Sequence, residues 1–120
     1  MNEMKKLPRI SQKEQDVLLV FWRDGGNLTA SAIADIGDGL SINTVQAAVR
    51  SLLKKEYIEI ADIVYSGTVL TRSYKPVISA EQYAAYQLQI LKTNAKNFSV
   101  SNFVEHFKEN NEIECLKELK

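Results

Sequence analysis

Apolar residues recur along most of this chain at the 3.6-residue period of a helix, and for one interval past residue 57 at the two-residue period of a strand. The clearest helical stripe is Val45, Ala48, Val49, Leu52 and Leu53, at i, i+3, i+4, i+7 and i+8. Asn43, Gln46, Ala47, Arg50 and Lys54 then share the opposite face. With the residues before it, this stripe makes 28–58 a short helix, a tight turn carrying Gly37 and Gly39, and a longer helix opened by Ser41, the grammar of a helix-turn-helix. Upstream, residues 10–23 predict a first helix. Ser11 and Glu14 are spaced as a capping box, Val17, Leu18, Phe21 and Trp22 give the apolar face, and Gly25 and Gly26 end it. Asn27 and Leu28 read as a short extended link, and Thr29 as the N-cap of a helix in which Ala30, Ile33 and Ala34 permit close packing.

Past Tyr57 the period changes. Ile58, Ile60 and Ile63, then Val69, Thr71 and Ser73, alternate with other residues, and Ser66-Gly67 lies between the runs as a turn signal. A hairpin directly after a helix-turn-helix is the wing of a winged helix, and Arg72 on its return strand is either a phosphate contact or an ordinary exposed strand residue. Pro76 ends the strand. Ser79 with Gln82 is a second capping box, opening a helix to about residue 96 that carries Tyr83, Tyr86 and Ile90, with Leu88 and Leu91 displaced around it. A further helix is expected from Ser99, burying Val100, Phe103, Val104 and Phe107, and a last one from Asn111 with Ile113, Leu116 and Leu119. These three helices hold too few apolar residues to form a core alone, so burial against a second copy is the expected remedy. The fold class expected is therefore mainly α with a small β-hairpin wing. On this reading residues 1–78 are expected to form a winged helix-turn-helix domain of the DNA-binding kind and residues 79–120 a C-terminal helical dimerisation region.

Composition narrows the function classes. At 120 residues, 45% hydrophobic and 25% charged, the chain suits one globular domain with a smaller appendage. No apolar run approaches the length of a membrane span, and MNEMKKLPRI has no apolar stretch of signal-peptide type, so a cytoplasmic protein without membrane insertion is expected. The single cysteine, Cys115, excludes an intramolecular disulfide and a cysteine-rich metal cluster. Fifteen basic and fifteen acidic residues give zero net charge. Their distribution is uneven: Glu105, Glu109, Glu112, Glu114 and Glu118 gather near the C-terminus, whereas residues 43–55 hold Arg50, Lys54 and Lys55 and no acid. A local basic surface on a neutral protein gives modest DNA affinity and favours a dimer that doubles the contacts.

Two amides, a small residue and two cations make an unusual exposed face for a helix that is merely soluble. Asn and Gln pair bidentately with adenine, Arg with guanine, and Lys with phosphate, so this face suits a major groove, although an ordinary solvated face has the same residues available. An enzyme is the weakest candidate. The lone histidine, His106, stands beside Glu105 and Glu109 on a helix, without a nucleophile at suggestive spacing, a glycine-rich phosphate loop or a ligand cluster, so neither cofactor nor metal is expected. The other class left open is a winged-helix module that binds protein and not DNA.

With these parts placed, the chain resembles the penicillinase and methicillin-resistance repressors, the BlaI/MecI/CopY-type transcriptional regulators. The likeness is carried by Ile10-Ser11 with Glu14, Val17 and Trp22; by Leu28-Thr29-Ala30 with Ile33; and by Ser41-Ile42-Asn43-Thr44-Val45 with Arg50, Leu52 and Lys54-Lys55. Tyr74-Lys75-Pro76-Val77 leading to Glu81 and Tyr83, and then Asn102-Phe103-Val104-Glu105, complete it. The resemblance implies a homodimeric repressor on palindromic double-stranded operator DNA. The third helix would enter the major groove with Asn43, Thr44, Gln46, Ala47 and Arg50 nearest the bases, and Ser41, Lys54 and Arg72 complete the expected DNA-contacting set. It further implies, for the penicillinase branch, inactivation by a sensor-linked protease between Asn102 and Phe103, against which Phe103 reads simply as a core aromatic. The chain departs from the family's usual Trp-Ser-Pro-Lys-Thr at Leu40-Ser41-Ile42-Asn43-Thr44, so the operator is not carried over. It also lacks the paired cysteines of the copper-responsive branch, and its wing is longer and more apolar than usual.

Overall fold

The computed structural model describes residues 7–110. The expected last helix, with Ile113, Leu116 and Leu119, lies outside the described residues, as do Cys115, Glu112, Glu114 and Glu118. The chain divides into two compact units, Met1–Tyr83 and Ala84–Lys120.

Local signals set the element boundaries of the first unit. α1 (Gln12–Asp24) starts in the expected capping box: Glu14 N–H donates to Ser11 Oγ at 3.2 Å, and Ser11 N–H donates back to Glu14 Oε1 at 2.7 Å. It stops at Gly25, whose left-handed φ of 81° lets its N–H return to the Phe21 carbonyl. Leu28–Thr29 is more than a link. It forms a strand, β1, before Thr29 caps α2 (Ala30–Ile36) by accepting from Ala32 N–H at 3.1 Å. In the turn that follows, a Cβ on Gly37 would stand 2.5 Å from Leu40 Cδ1 and 3.0 Å from the Ile33 carbonyl, so any larger residue would have to push the Leu40 side chain aside.

α3 (Ile42–Lys54) begins at Ser41 and ends without a glycine. Glu56 takes the left-handed conformation instead, at φ 66°. Tyr57 N–H reaches the Leu52 carbonyl at 2.9 Å and Glu56 N–H the Leu53 carbonyl at 3.1 Å, the two bonds of a Schellman motif. The chain then enters β2 (Ile58–Ser66) and returns as β3 (Val69–Pro76), giving an antiparallel sheet in the order β1-β3-β2. The turn residues are Gly67 and Thr68, one place beyond the Ser66-Gly67 expected, because Ser66 still pairs with Val69; Gly67 supplies the positive φ. A register shift between Ile60 and Asp62 leaves Ala61 bulged. That bulge is why Ile58, Ile60 and Ile63 change from even to odd numbers.

The core joins Val17, Leu18, Val20 and Phe21 of α1, Ile33 of α2 and Val45, Ala48, Val49 and Leu52 of α3, closed by Leu28, Tyr57 and Ile58. Tyr57, which marks in the sequence only the point where the period changes, is a fully buried side chain whose hydroxyl donates to the Pro8 carbonyl at 2.6 Å. Trp22 is half-buried and donates from Nε1 to the Ile78 carbonyl at 3.0 Å. Ile60 and Ile63, by contrast, are exposed, because the hairpin outruns the helices beneath it. α4 (Ala80–Asn94) opens in the expected second box, Gln82 N–H to Ser79 Oγ and Ser79 N–H to Gln82 Oε1. Its Tyr83 packs beside Trp22 and Tyr57 at ring separations of 5.6 and 6.3 Å and donates to Gln15 Oε1 at 3.2 Å. Burial raises the Tyr83 hydroxyl pKa.

In the second unit, the rest of α4 and α5 (Val100–Asn110) are amphipathic but poorly covered. In the single chain Val100, Phe103 and Val104 are exposed and Phe107 is half-buried, so the stripe is left uncovered without a second copy. Two short helices have too little apolar surface to enclose one another, so the aromatic row Phe98, Phe103 and Phe107, spaced 6.2 and 6.3 Å, stays accessible in the single chain.

Candidate nucleic-acid interface

α3 is held by its apolar stripe, and this fixes what it can offer outward. Val45, Ala48, Val49 and Leu52 are buried and Leu53 half-buried. Asn43, Gln46, Ala47, Arg50 and Lys54 are exposed, and no acid lies between Ile42 and Lys54. Seven of the eight DNA-contacting residues expected from sequence thus belong to one helix and its cap. Two of the seven are occupied in shaping it. Ser41 Oγ accepts from Thr44 N–H at 3.1 Å and donates to Thr44 Oγ1 at 2.9 Å, so both hydroxyls organise the helix start, and Thr44 is half-buried.

Arg72 does not join that group. It is exposed on β3, opposite Ile63 of β2. Beyond it the hairpin is apolar: Ile63, Tyr65, Val69 and Leu70 are exposed, with Tyr65 74% accessible. Lys75 on the same strand lies 3.5 Å from Glu59.

Lys55, expected to add to the basic surface, is turned the other way. Its Nζ donates to the Arg9 carbonyl at 2.8 Å and to Glu14 Oε1 at 3.0 Å, tying the end of α3 to the start of α1. Burial by itself raises the pKa of the nearly buried Glu14. Hydrogen bonds from the Ser51 side chain, Ser11 N–H and Lys55, together with the Lys55 charge, outweigh it and hold the carboxyl below its ordinary value. The positive charge left on the open face of α3 is therefore Arg50 and Lys54. One nearby cation escaped the sequence reading. A cleft of about 290 Å³ lined by Ser11, Lys13 and Glu14 of α1 and Thr44, Ala47 and Ala48 of α3 brings Lys13 to the edge of this face. Nothing in the α1 pattern distinguishes Lys13 from any other exposed lysine; only the packing of α1 on α3 does.

Asn102 and Phe103 occupy the first turn of α5, where Asn102 N–H donates to Ser99 Oγ at 3.2 Å. His106 is an exposed side chain 3.5 Å from Glu109 on the same helix. Among the described residues no three His, Cys, Asp or Glu side chains are grouped to hold a metal, and no helix is long and apolar enough to cross a membrane.

No curated protein matches the chain. The family described as penicillinase repressor does, over residues 10–119, which spans the winged helix, the linking hairpin and the C-terminal helices alike. With a helix-turn-helix, a hairpin wing and a match over nearly its full length, the chain belongs to the penicillinase repressor family of BlaI/MecI-type DNA-binding transcriptional repressors.

Proposed function

We propose that this protein represses transcription as a homodimer, each copy laying α3 into the major groove of one half of a palindromic operator. The observation that carries the proposal is the open face of α3, where Asn43, Gln46, Ala47, Arg50 and Lys54 stand together, exposed, without an acid. In this reading Gln46 and Arg50 pair with base edges and Asn43 and Ala47 contact neighbouring bases. Ser41 and Thr44 fix the start of the helix, and Lys54 and Arg72 meet phosphate. Residues 1–78 act as the DNA-binding domain and 79–120 as the dimerisation region, whose uncovered Val100, Phe103 and Val104 find their burial in the second copy. Cleavage between Asn102 and Phe103 by a sensor-linked protease would cut the first turn of α5, part Val100 from Phe103, Val104 and Phe107, and so release the operator by dissolving the dimer.

The apolar hairpin favours one other reading, a winged-helix module whose partner is a protein. Salt separates the two. Titrating sodium chloride against a selected DNA duplex should give a logarithmic slope of about −4, for the two phosphates neutralised by Lys54 and Arg72 in each copy of the dimer. A protein-only module would select no sequence and shift none at any salt. For the switch, mass analysis after co-expression with a sensor protease should show fragments ending at Asn102; an intact chain under induction rejects that step.

A further inference from the structure

Ile42 is out of place by every local criterion. It is the first residue of α3 and 40% exposed, outside the core that Val45 and Val49 enter from the same helix. It is also the only large apolar side chain among the exposed residues of α3. Helix stability does not ask for it. The first turn of a helix favours acids, which the dipole stabilises, and a β-branched side chain loses rotamer freedom there. The cap does not ask for it either, since Ser41 and Thr44 complete that between themselves. What remains distinctive is its position, one turn before Gln46, the two being i and i+4 and so neighbours on one side of the helix.

We infer that Ile42 is a specificity-determining residue that packs on the 5-methyl group of a thymine, beside the base pair that Gln46 reads. This rests on α3 being the DNA-reading helix. In the major groove the thymine methyl is the only apolar group on any base edge, and contact with it favours thymine over cytosine at that place without a hydrogen bond. The N-terminal turn of a recognition helix is the part that goes deepest into the groove, so an exposed isoleucine there is hidden from water only when DNA is bound. Burial of one methyl group against an aliphatic side chain is worth about a fourfold change in affinity, enough to order otherwise similar sites.

The test begins with the duplex that the full-length chain selects from a random library. Each thymine in it is replaced singly by deoxyuridine, which removes the methyl and nothing else, and binding is measured by fluorescence anisotropy at one salt concentration. One thymine per half-site should lose about fourfold in affinity with the unaltered chain. That loss should vanish in Ile42→Ala and persist in Ile42→Val, while thermal unfolding of both variants stays unchanged. A flat deoxyuridine scan on a selected duplex, or the same loss in Ile42→Ala, overturns the inference while leaving α3 as the reader. Failure to select any sequence would instead overturn the reading of α3 as the DNA-binding helix, and this inference with it.

Discussion

Truncating one aromatic ring tests the proposed dimer most directly. Phe103 lies in the middle of the α5 row, with Phe98 and Phe107 on either side, and it is 43% exposed in the single chain. A fully buried Phe hides about 200 Å². Roughly 90 Å² of this ring is therefore left for a partner to cover, and twice that across a symmetric pair. At about 25 cal/mol per Å² the two rings are worth about 4 kcal/mol of association, and Phe103→Ala should forfeit about 3 of these, since the β-carbon remains. This is about a hundredfold in the dimer dissociation constant. Sedimentation equilibrium over nanomolar to micromolar concentrations measures it. His106→Ala, an exposed change on the same helix, is the control and should move the constant less than about threefold. If Phe103→Ala associates as tightly as the unaltered chain while its circular dichroism is unchanged, α5 is not the dimer interface.

Three further outcomes follow from the geometry. Gln46→Ala or Arg50→Ala should each flatten discrimination at one base position by about 1–3 kcal/mol, read by competition binding against single-base variants of the selected duplex. Glu14→Gln should destabilise the first unit at neutral pH and abolish part of its acid sensitivity. The folded pKa of Glu14 is depressed, so its contribution is complete above the unfolded-state value of about 4.3 and is lost as pH falls through the lower folded value; urea unfolding at pH 7 and pH 3 measures both ends. Glu56→Gly should raise stability by about 0.5–1 kcal/mol, since a residue with a β-carbon is strained at a φ of 66° and the Schellman bonds are made by the backbone; a fall in the melting temperature would contradict this.

The elements that the sequence alone could establish are those whose cause is local. Ser11 with Glu14 and Ser79 with Gln82 cap helices through atoms three residues apart, and both boxes form where the spacing puts them. The stripe from Val45 to Leu53 determines which face of α3 turns inward, because a helix with one apolar side has one way to bury it, and with that the open face follows. The family likewise rests on short blocks in a fixed order. Four things were decided only when distant segments met. Leu28 and Thr29 become a strand because Tyr74 and Ser73 of β3 lie alongside them. Ala61 bulges because the hairpin must follow the core at Ile58 and then leave it, which a two-residue alternation cannot express. Lys55, one residue from the exposed Lys54, is drawn inward by a carboxylate 41 positions earlier, and Lys13 is brought to the edge of the open face of α3 by the same packing of α1 on α3. Finally, the α5 stripe has the right period for burial, but period records only that a face is apolar; what covers it depends on surface elsewhere, and within the described chain Val100, Phe103 and Val104 have too little.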